Sequence, residues 1–170
     1  MSTDFVVSII ADDKPGLVDS LAQTVVDHQG NWLESRMAQM AGKFAGILRV
    51  NVSDAHATTL KDALEALQTD GIKVIIENAS AEQGVTSHAL LLNLVGNDRP
   101  GIVREVSQVL SAQQVNVEDL STECEPAPHT GEMLFRAQAR LQVPQQVDID
   151  TLISTLESLA DDLMVEVSQP

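Results

Sequence analysis

The sequence predicts an α+β chain made of two tandem copies of one strand–helix–strand–strand–helix–strand unit. Three observations predict it. The 170 residues repeat themselves at an offset of 85, half their length. In each half, apolar runs with strand character alternate with segments whose apolar residues recur at helical spacing. The run Asp13-Lys14-Pro15-Gly16-Leu17-Val18 also returns at the same place as Asp98-Arg99-Pro100-Gly101-Ile102-Val103.

The elements follow in order. Phe5 to Ala11 is a continuous apolar run that stops at two aspartates, which suits a buried strand. Pro15 stands where a first helical turn tolerates a missing N–H. Leu17, Val18, Leu21, Ala22 and Val25 then give one apolar helix face, and Gly30 is expected to end that helix. Trp32 to Met40 and Phe44 to Val52 read as strands joined at Ala41-Gly42-Lys43. Phe44, Gly46, Leu48, Val50 and Val52 alternate, so one face of the second of these is buried. His56 to Gln68 is a helix that turns Leu60, Ala63, Leu64 and Leu67 inward; Gly71 stops it, and Ile72 to Glu77 is a fourth strand.

The second half repeats the order. Ala89–Val95, Val115–Glu123, Met133–Val143 and Leu163–Val167 read as strands, and Gly101–Gln113 and Val147–Ala160 as helices. Between 5–36 and 90–121 the two halves share 7 identities in 32 aligned pairs, clustered around one loop and one helix. Further on, Leu60, Leu64 and Leu67 match Leu152, Leu156 and Leu159 at an offset of 92. That implies a seven-residue insertion, expected in Glu125-Pro126-Ala127-Pro128-His129-Thr130-Gly131, where prolines and a glycine mark a loop.

This order is the split-βαβ, ferredoxin-like pattern: a four-stranded antiparallel sheet with two helices on one face. The expected division is residues 1–78 for the first domain, 79–86 for a linker and 87–170 for the second domain. Trp32, Leu33, Met37, Ala38 and Met40 make strand two of the first copy too apolar to leave wet. Pairing of sheets or edges would cover it, and exposed edge strands leave a homodimer open.

Composition narrows the function. Ten Lys and Arg against 25 Asp and Glu give a net charge of −15. Such a surface repels phosphate backbones, so direct nucleic-acid binding is not expected. Aromatic residues are only Phe5, Phe44, Phe135 and Trp32, so stacking platforms are nearly absent. Residues 86–170 hold 4 basic and 13 acidic side chains, which suits either solubility or docking on a basic partner. One cysteine, Cys124, cannot make an internal disulfide or a cysteine-based metal site. No apolar run approaches membrane-spanning length, and a cytoplasmic setting with no membrane partner is the expectation.

The loop before each first helix is the feature that could carry function. Free N–H groups at a helix start attract an anion, and glycine lets a ligand approach the backbone. Asp13 or Asp98 could hold an ammonium group while those N–H groups take a carboxylate, which suits a free α-amino acid. The same residues also fit a purely structural corner, with Asp capping, Pro starting the helix and Gly filling a tight turn.

The double βαββαβ pattern, with Asp-[Lys/Arg]-Pro-Gly in both copies and with Asn31 and Asn116 at the start of each second strand, resembles the ACT domain over nearly the whole chain. The resemblance implies a regulatory, non-enzymatic module that binds a small amino acid such as glycine where domains pair. It implies ligand positions at Asp13, Pro15, Gly16, Leu17, Val18 and Asn31, and at Asp98, Pro100, Gly101, Ile102, Val103 and Asn116. A free-standing tandem pair is similar to ACT-domain repressors of transcription, which implies contact with a LysR-type transcriptional activator. ACT modules also serve as regulatory subunits of metabolic enzymes, which is the alternative. The copies depart from one another: residue 30 is Gly where 115 is Val, so the two sites need not be equivalent.

Other residues carry less. Glu123, Cys124, Glu125, His129 and Glu132 cluster in the second hairpin, but a polar loop with one incidental thiol accounts for them. His28, His56, His88 and His129 are scattered and have no nucleophile partner in a recognisable motif. No catalytic residue, metal site or cofactor is expected, and a small enzyme on this scaffold would need a deep pocket that the sequence does not foreshadow.

Overall fold

The computed structural model describes residues 1–80, 84 and 86–170; residues 81–83 and 85 of the expected linker lie outside them. The chain divides into two compact units, Met1–Glu82 and Gln83–Pro170. The first unit runs β1 (Ser2–Asp12), α1 (Leu17–Asp27), β2 (Asn31–Met40), β3 (Lys43–Ser53), α2 (Asp54–Ala66) with a 3-10 turn over Leu67–Asp70, and β4 (Lys73–Asn78). The second runs β5 (Ser87–Asn97), α3 (Ile102–Ala112), β6 (Asn116–Pro126), β7 (Met133–Pro144), α4 (Ile149–Glu157) and β8 (Met164–Ser168). The sheets have the orders β2-β3-β1-β4 and β6-β7-β5-β8, with every pair antiparallel. Both units are therefore α+β and ferredoxin-like.

Period-two alternation decides the inner face. Phe5, Val7, Ile9 and Ala11 of β1 and Leu48, Val50 and Val52 of β3 are buried against Leu17, Leu21 and Val25 of α1 and Leu60 and Leu64 of α2. In the second unit Leu90, Leu92, Leu94, Leu141 and Val143 play the same part against Ile102, Val106, Leu110, Leu152 and Leu156. Among the described residues no polar or charged residue is buried. On β2, Trp32 and Met37 pack on the core, whereas Leu33 and Met40 stay exposed in this chain.

The two units share their strand registers in detail. Trp32 pairs with Val50, and Val117 with Leu141; immediately after each pair, one residue, Leu33 or Glu118, bulges out of the ladder. A bulge at the same step in both sheets is a feature of the unit rather than a local accident. The registers also correct the expected insertion. Lys43 and Leu134 occupy equivalent places, so the hairpin of the second unit is longer by six residues; the seventh lies between β7 and α4. The first hairpin closes through Ala41 and Gly42, both at positive φ, a tight two-residue turn. The second needs the six residues 127–132 to close beyond Pro126 and Met133.

The end of each first helix also differs from expectation. Gly30 is not the left-handed residue; Gln29 is, at φ 60°, and Gln114 matches it at 58°. Gly30 N–H then reaches back to Val25 O at 2.8 Å, and Val115 N–H to Leu110 O at 2.9 Å. With the Gln29–Val26 and Gln114–Ser111 bonds, these are Schellman closures. Gly30 is required for a different reason: a Cβ there would stand 2.9 Å from Val25 Cγ1 and 3.1 Å from Leu60 Cδ2. Val115 is instead buried and fills that place in the second unit.

Candidate functional site

Asp13-Lys14-Pro15-Gly16 and Asp98-Arg99-Pro100-Gly101 connect the first strand of each unit to its first helix. Asp13 N–H donates to Gly42 O at 2.9 Å and Asp98 N–H to Met133 O at 2.8 Å, which ties each loop to the neighbouring hairpin. Neither aspartate caps its helix. The cap residue is Gly16 at φ 91° and Gly101 at φ 89°, with no side-chain cap bond. Pro therefore precedes the cap rather than opening the helix. Both glycines lie in the left-handed region that disfavours side chains.

The remaining positions separate by exposure. Asp13, Pro15, Gly16, Val18, Asp98, Pro100, Gly101 and Val103 are exposed. Leu17 and Ile102 are buried in their cores, so only their backbone faces the loop. Asn31 and Asn116 lie at the other end of the sheet: Asn31 pairs with Asn51, near the start of β1, and Asn116 with Gln142. The eleven residues of α1 put about 16 Å between Asn31 and the loop of its own unit. Within one unit, then, the loop and the asparagine do not converge on one small ligand.

The electrostatics distinguish the two loops. Arg99 grips Glu105 with both nitrogens, at 2.9 and 2.5 Å, and reaches Leu159 O at 3.5 Å. The Glu105 hydrogen bond and charge push Arg99 further up, and Arg99 holds Glu105 below the usual carboxylate range. Asn97 N–H also donates to Asp162 at 2.7 Å. In the first unit, Lys14 makes one exposed contact, 3.4 Å to Asp70 O. The residue aligned with Glu105 is Ser20, so no carboxylate stands over that helix start. Glu105 Oε1, by contrast, is 3.9 Å from where a Cβ of Gly101 would be. Asp12, just before the first loop, is ion-paired with Lys43, which lowers its pKa.

Sequence reasoning set Cys124 aside, yet it neighbours the second loop. Its thiol is pushed up by partial shielding of the sulfur and by the charge and hydrogen bond of Asp98. The signal that could have placed it is the antiparallel hairpin itself, which returns the end of β6 to the loop end of the sheet. The other side chains of that cluster do not converge: Glu125 pairs with Arg136, and among the described residues no three of His, Cys, Asp or Glu are placed to hold a metal ion. His28 bonds its own helix, Nδ1 lying 2.9 Å from Thr24 O.

The second unit also has a slot between α3 and β6, which Val103, Val106, Leu110, Val117, Leu120 and Phe135 help to line. At about 30 Å³ and almost wholly carbon-lined, it is too small for an amino acid. No helix among the described residues is long and apolar enough to cross a membrane.

ACT-domain family models match residues 3–76 and 84–165. The chain belongs to the ACT-domain family. It is also similar from end to end to two solved structures. An unknown protein from Galdieria sulphuraria is 28% identical, with a TM-score of 0.87 and coverage of 100% of this chain and 99% of that one. A candidate glycine cleavage system transcriptional repressor superposes with a TM-score of 0.72 at 15% identity, over 100% of this chain and 99% of that one. No curated protein matches the sequence. This is thus a tandem ACT-domain protein whose fold resembles that of a candidate glycine cleavage system transcriptional repressor.

Proposed function

We propose that this ACT-domain protein is a glycine-responsive, non-enzymatic repressor of the glycine cleavage system. It acts by contact with a LysR-type transcriptional activator rather than by touching DNA itself. The observation that carries this reading is the superposition on the candidate repressor, which runs through both ACT domains without a gap in coverage. The net charge of −15 supports action through protein, since a DNA-binding surface would have to neutralise phosphates.

The ligand site is the first loop. An α-amino acid would place its carboxylate on the free N–H groups of the first turn of α1 and its ammonium beside Asp13, with Gly16 giving room to approach. The second loop is the structural partner, because the Arg99–Glu105 clamp occupies its approach. Asn31 and Asn116 join the site only where units pair, as the family resemblance implies.

Calorimetry with glycine, alanine, serine and leucine tests the sensing step. Saturable glycine binding is expected, lost in Gly16→Ala and retained in Gly101→Ala. Both glycines sit at positive φ, so circular dichroism must first show that each variant is folded. The absence of binding at millimolar glycine in folded wild-type protein would refute the ligand. Co-purification from cells with and without added glycine tests the partner: a LysR-type activator is expected, and a biosynthetic enzyme in its place would favour a regulatory subunit.

A further inference from the structure

The interior of the second unit lacks side chains that fill the first. Strand registers place Val117 where the first unit has Trp32, Thr122 where it has Met37, and Ala139 where it has Leu48. Each exchange shrinks the side chain, and all three of the smaller residues line the slot between α3 and β6. Trp32 and Met37 pack on the first core, whereas no residue of β6 joins the second. Two exchanges run the other way, Ala137 for Gly46 and Leu120 for Ser35, and both put more carbon on the walls of the slot. The first unit thus shows what this space holds when it is full: apolar side chains.

The slot belongs to the second unit alone, since its walls come from β5, α3, β6 and β7. Its chemistry restricts the guest. No charged residue lines it, and Ser107 and Thr122 supply the only side-chain polar groups. A water molecule needs two to four polar partners, so the slot has little to offer it. A carboxylate or an ammonium group would give up its hydration for no counter-charge. A hydrocarbon group gives up nothing and restores dispersion contacts to walls that face an empty space. Apolar cavities of this kind stay dry and take apolar guests.

Size restricts the guest further. About 30 Å³ is close to the volume of one water molecule in the liquid, which admits the end of an alkyl chain but not a whole ring. We propose that the slot is a binding site for the hydrocarbon end of a small, uncharged molecule, a second ligand class beside the amino acid. The inference is independent of the amino-acid reading, because none of the lining residues belongs to the first loop.

Titration of the full chain with 1-butanol, followed by methyl NMR, tests it. About 1 to 100 mM spans the affinity expected of so few atoms. Saturable shifts are expected at Leu92, Leu94, Val106 and Leu110, and none at Leu21, Leu48 and Leu64 of the first core. Butylammonium carries the same chain with a charge and should bind in the slot at least about tenfold more weakly, although the acidic surface attracts it. Ala139→Leu restores the side chain of the first unit and should weaken 1-butanol binding at least about tenfold, because the space is then occupied. If that variant does not fold, Thr122→Met fills the slot from the strand and should act in the same direction. Shifts that rise linearly with concentration, shifts spread equally over both cores, equal binding of butylammonium, or undiminished binding in a folded, filled variant would each overturn the inference.

Discussion

Leu48 and Ala139 hold the same register position, one strand in from the edge of each sheet and facing the helices. Around Leu48 the first unit sets Trp32, Met37 and Phe44 against the core. Around Ala139 the second sets Val117, Thr122 and Phe135, and the shortfall in volume leaves the apolar slot beside α3. The outer faces diverge in the opposite sense: Ile10, Ile47 and Ile75 of the first sheet stand where the second has Val95, Gln138 and Glu166. The duplicated parts are backbone features: register, bulge, left-handed glycine and Schellman closure. The side chains mounted on them differ, so each unit can serve a separate purpose on one scaffold.

The sharpest way to break this comparison is to exchange the slot residues. Leu48 is 2% exposed, and Leu48→Ala should cost about 3 kcal/mol by lost burial and the cavity left behind. Ala139→Leu fills space already empty and should stabilise the second unit by up to about 1 kcal/mol. Urea unfolding separates the two, because Trp32 is the only tryptophan and its fluorescence reports the first unit, whereas far-UV circular dichroism reports both. A loss in Ala139→Leu as large as that in Leu48→Ala would show that the slot is too narrow to fill.

The exchange at the helix ends is next in size. Gly30→Val puts side-chain atoms within about 3 Å of Val25 and Leu60 and should cost about 1–3 kcal/mol by overpacking. Val115→Gly removes a buried side chain and frees the backbone, for about 2 kcal/mol. If Gly30→Val were neutral by the fluorescence transition, the close approach of α1 to α2 would not be what requires glycine there.

Gly30 also shows where the sequence was readable and where it was not. Among the described residues periodicity locates the four α-helices and most strands, because burial imposes period two or 3.6 on long segments; β2 and β6, exposed along nearly their whole length, carry no such alternation. A glycine after a helix looks the same whether it supplies a left-handed φ or room for a neighbour; only packing separates the two, and Gln29 takes the φ. The insertion shows the same limit. Leucine spacing gives the total of seven residues, but only strand pairing divides them between the hairpin and the β7–α4 connection. At the candidate site the motif itself was legible, with both loops at equivalent places. The Arg99–Glu105 clamp was not, because six residues of sequence separation say nothing about a turn that folds one side chain over the next.

That clamp leads to a smaller effect with a defined sign. Glu105 is held below its ordinary pKa by Arg99, so its contribution is present above the unfolded carboxylate pKa and is lost as pH falls through the folded value. The second loop should therefore loosen in acid, below the ordinary carboxylate range. The first loop has only the contact of Lys14 with a backbone carbonyl and no carboxylate clamp, although its flanking Asp12–Lys43 pair weakens at low pH. Amide exchange at 98–103, corrected for intrinsic rates, should rise more steeply toward acid than at 13–18. Glu105→Gln should remove the difference while leaving the loop loosened at neutral pH.

The smallest effect concerns Cys124. Shielding of the sulfur is the larger cause of its raised pKa, and the Asp98 carboxylate adds its charge and hydrogen bond. Since only the thiolate attacks, the exposed thiol should react with a disulfide reagent more slowly than a free cysteine at pH 8. Asp98→Asn removes the charge, lowers the pKa and raises the thiolate fraction, so the rate should increase, but only a few-fold because the shielding remains. The first loop has no counterpart, since the residue aligned with Cys124 is Gln39. A rate unchanged by Asp98→Asn would place the thiol away from the loop carboxylate. A glycine-dependent change in that rate would mean that the second loop, and not only the first, feels the ligand.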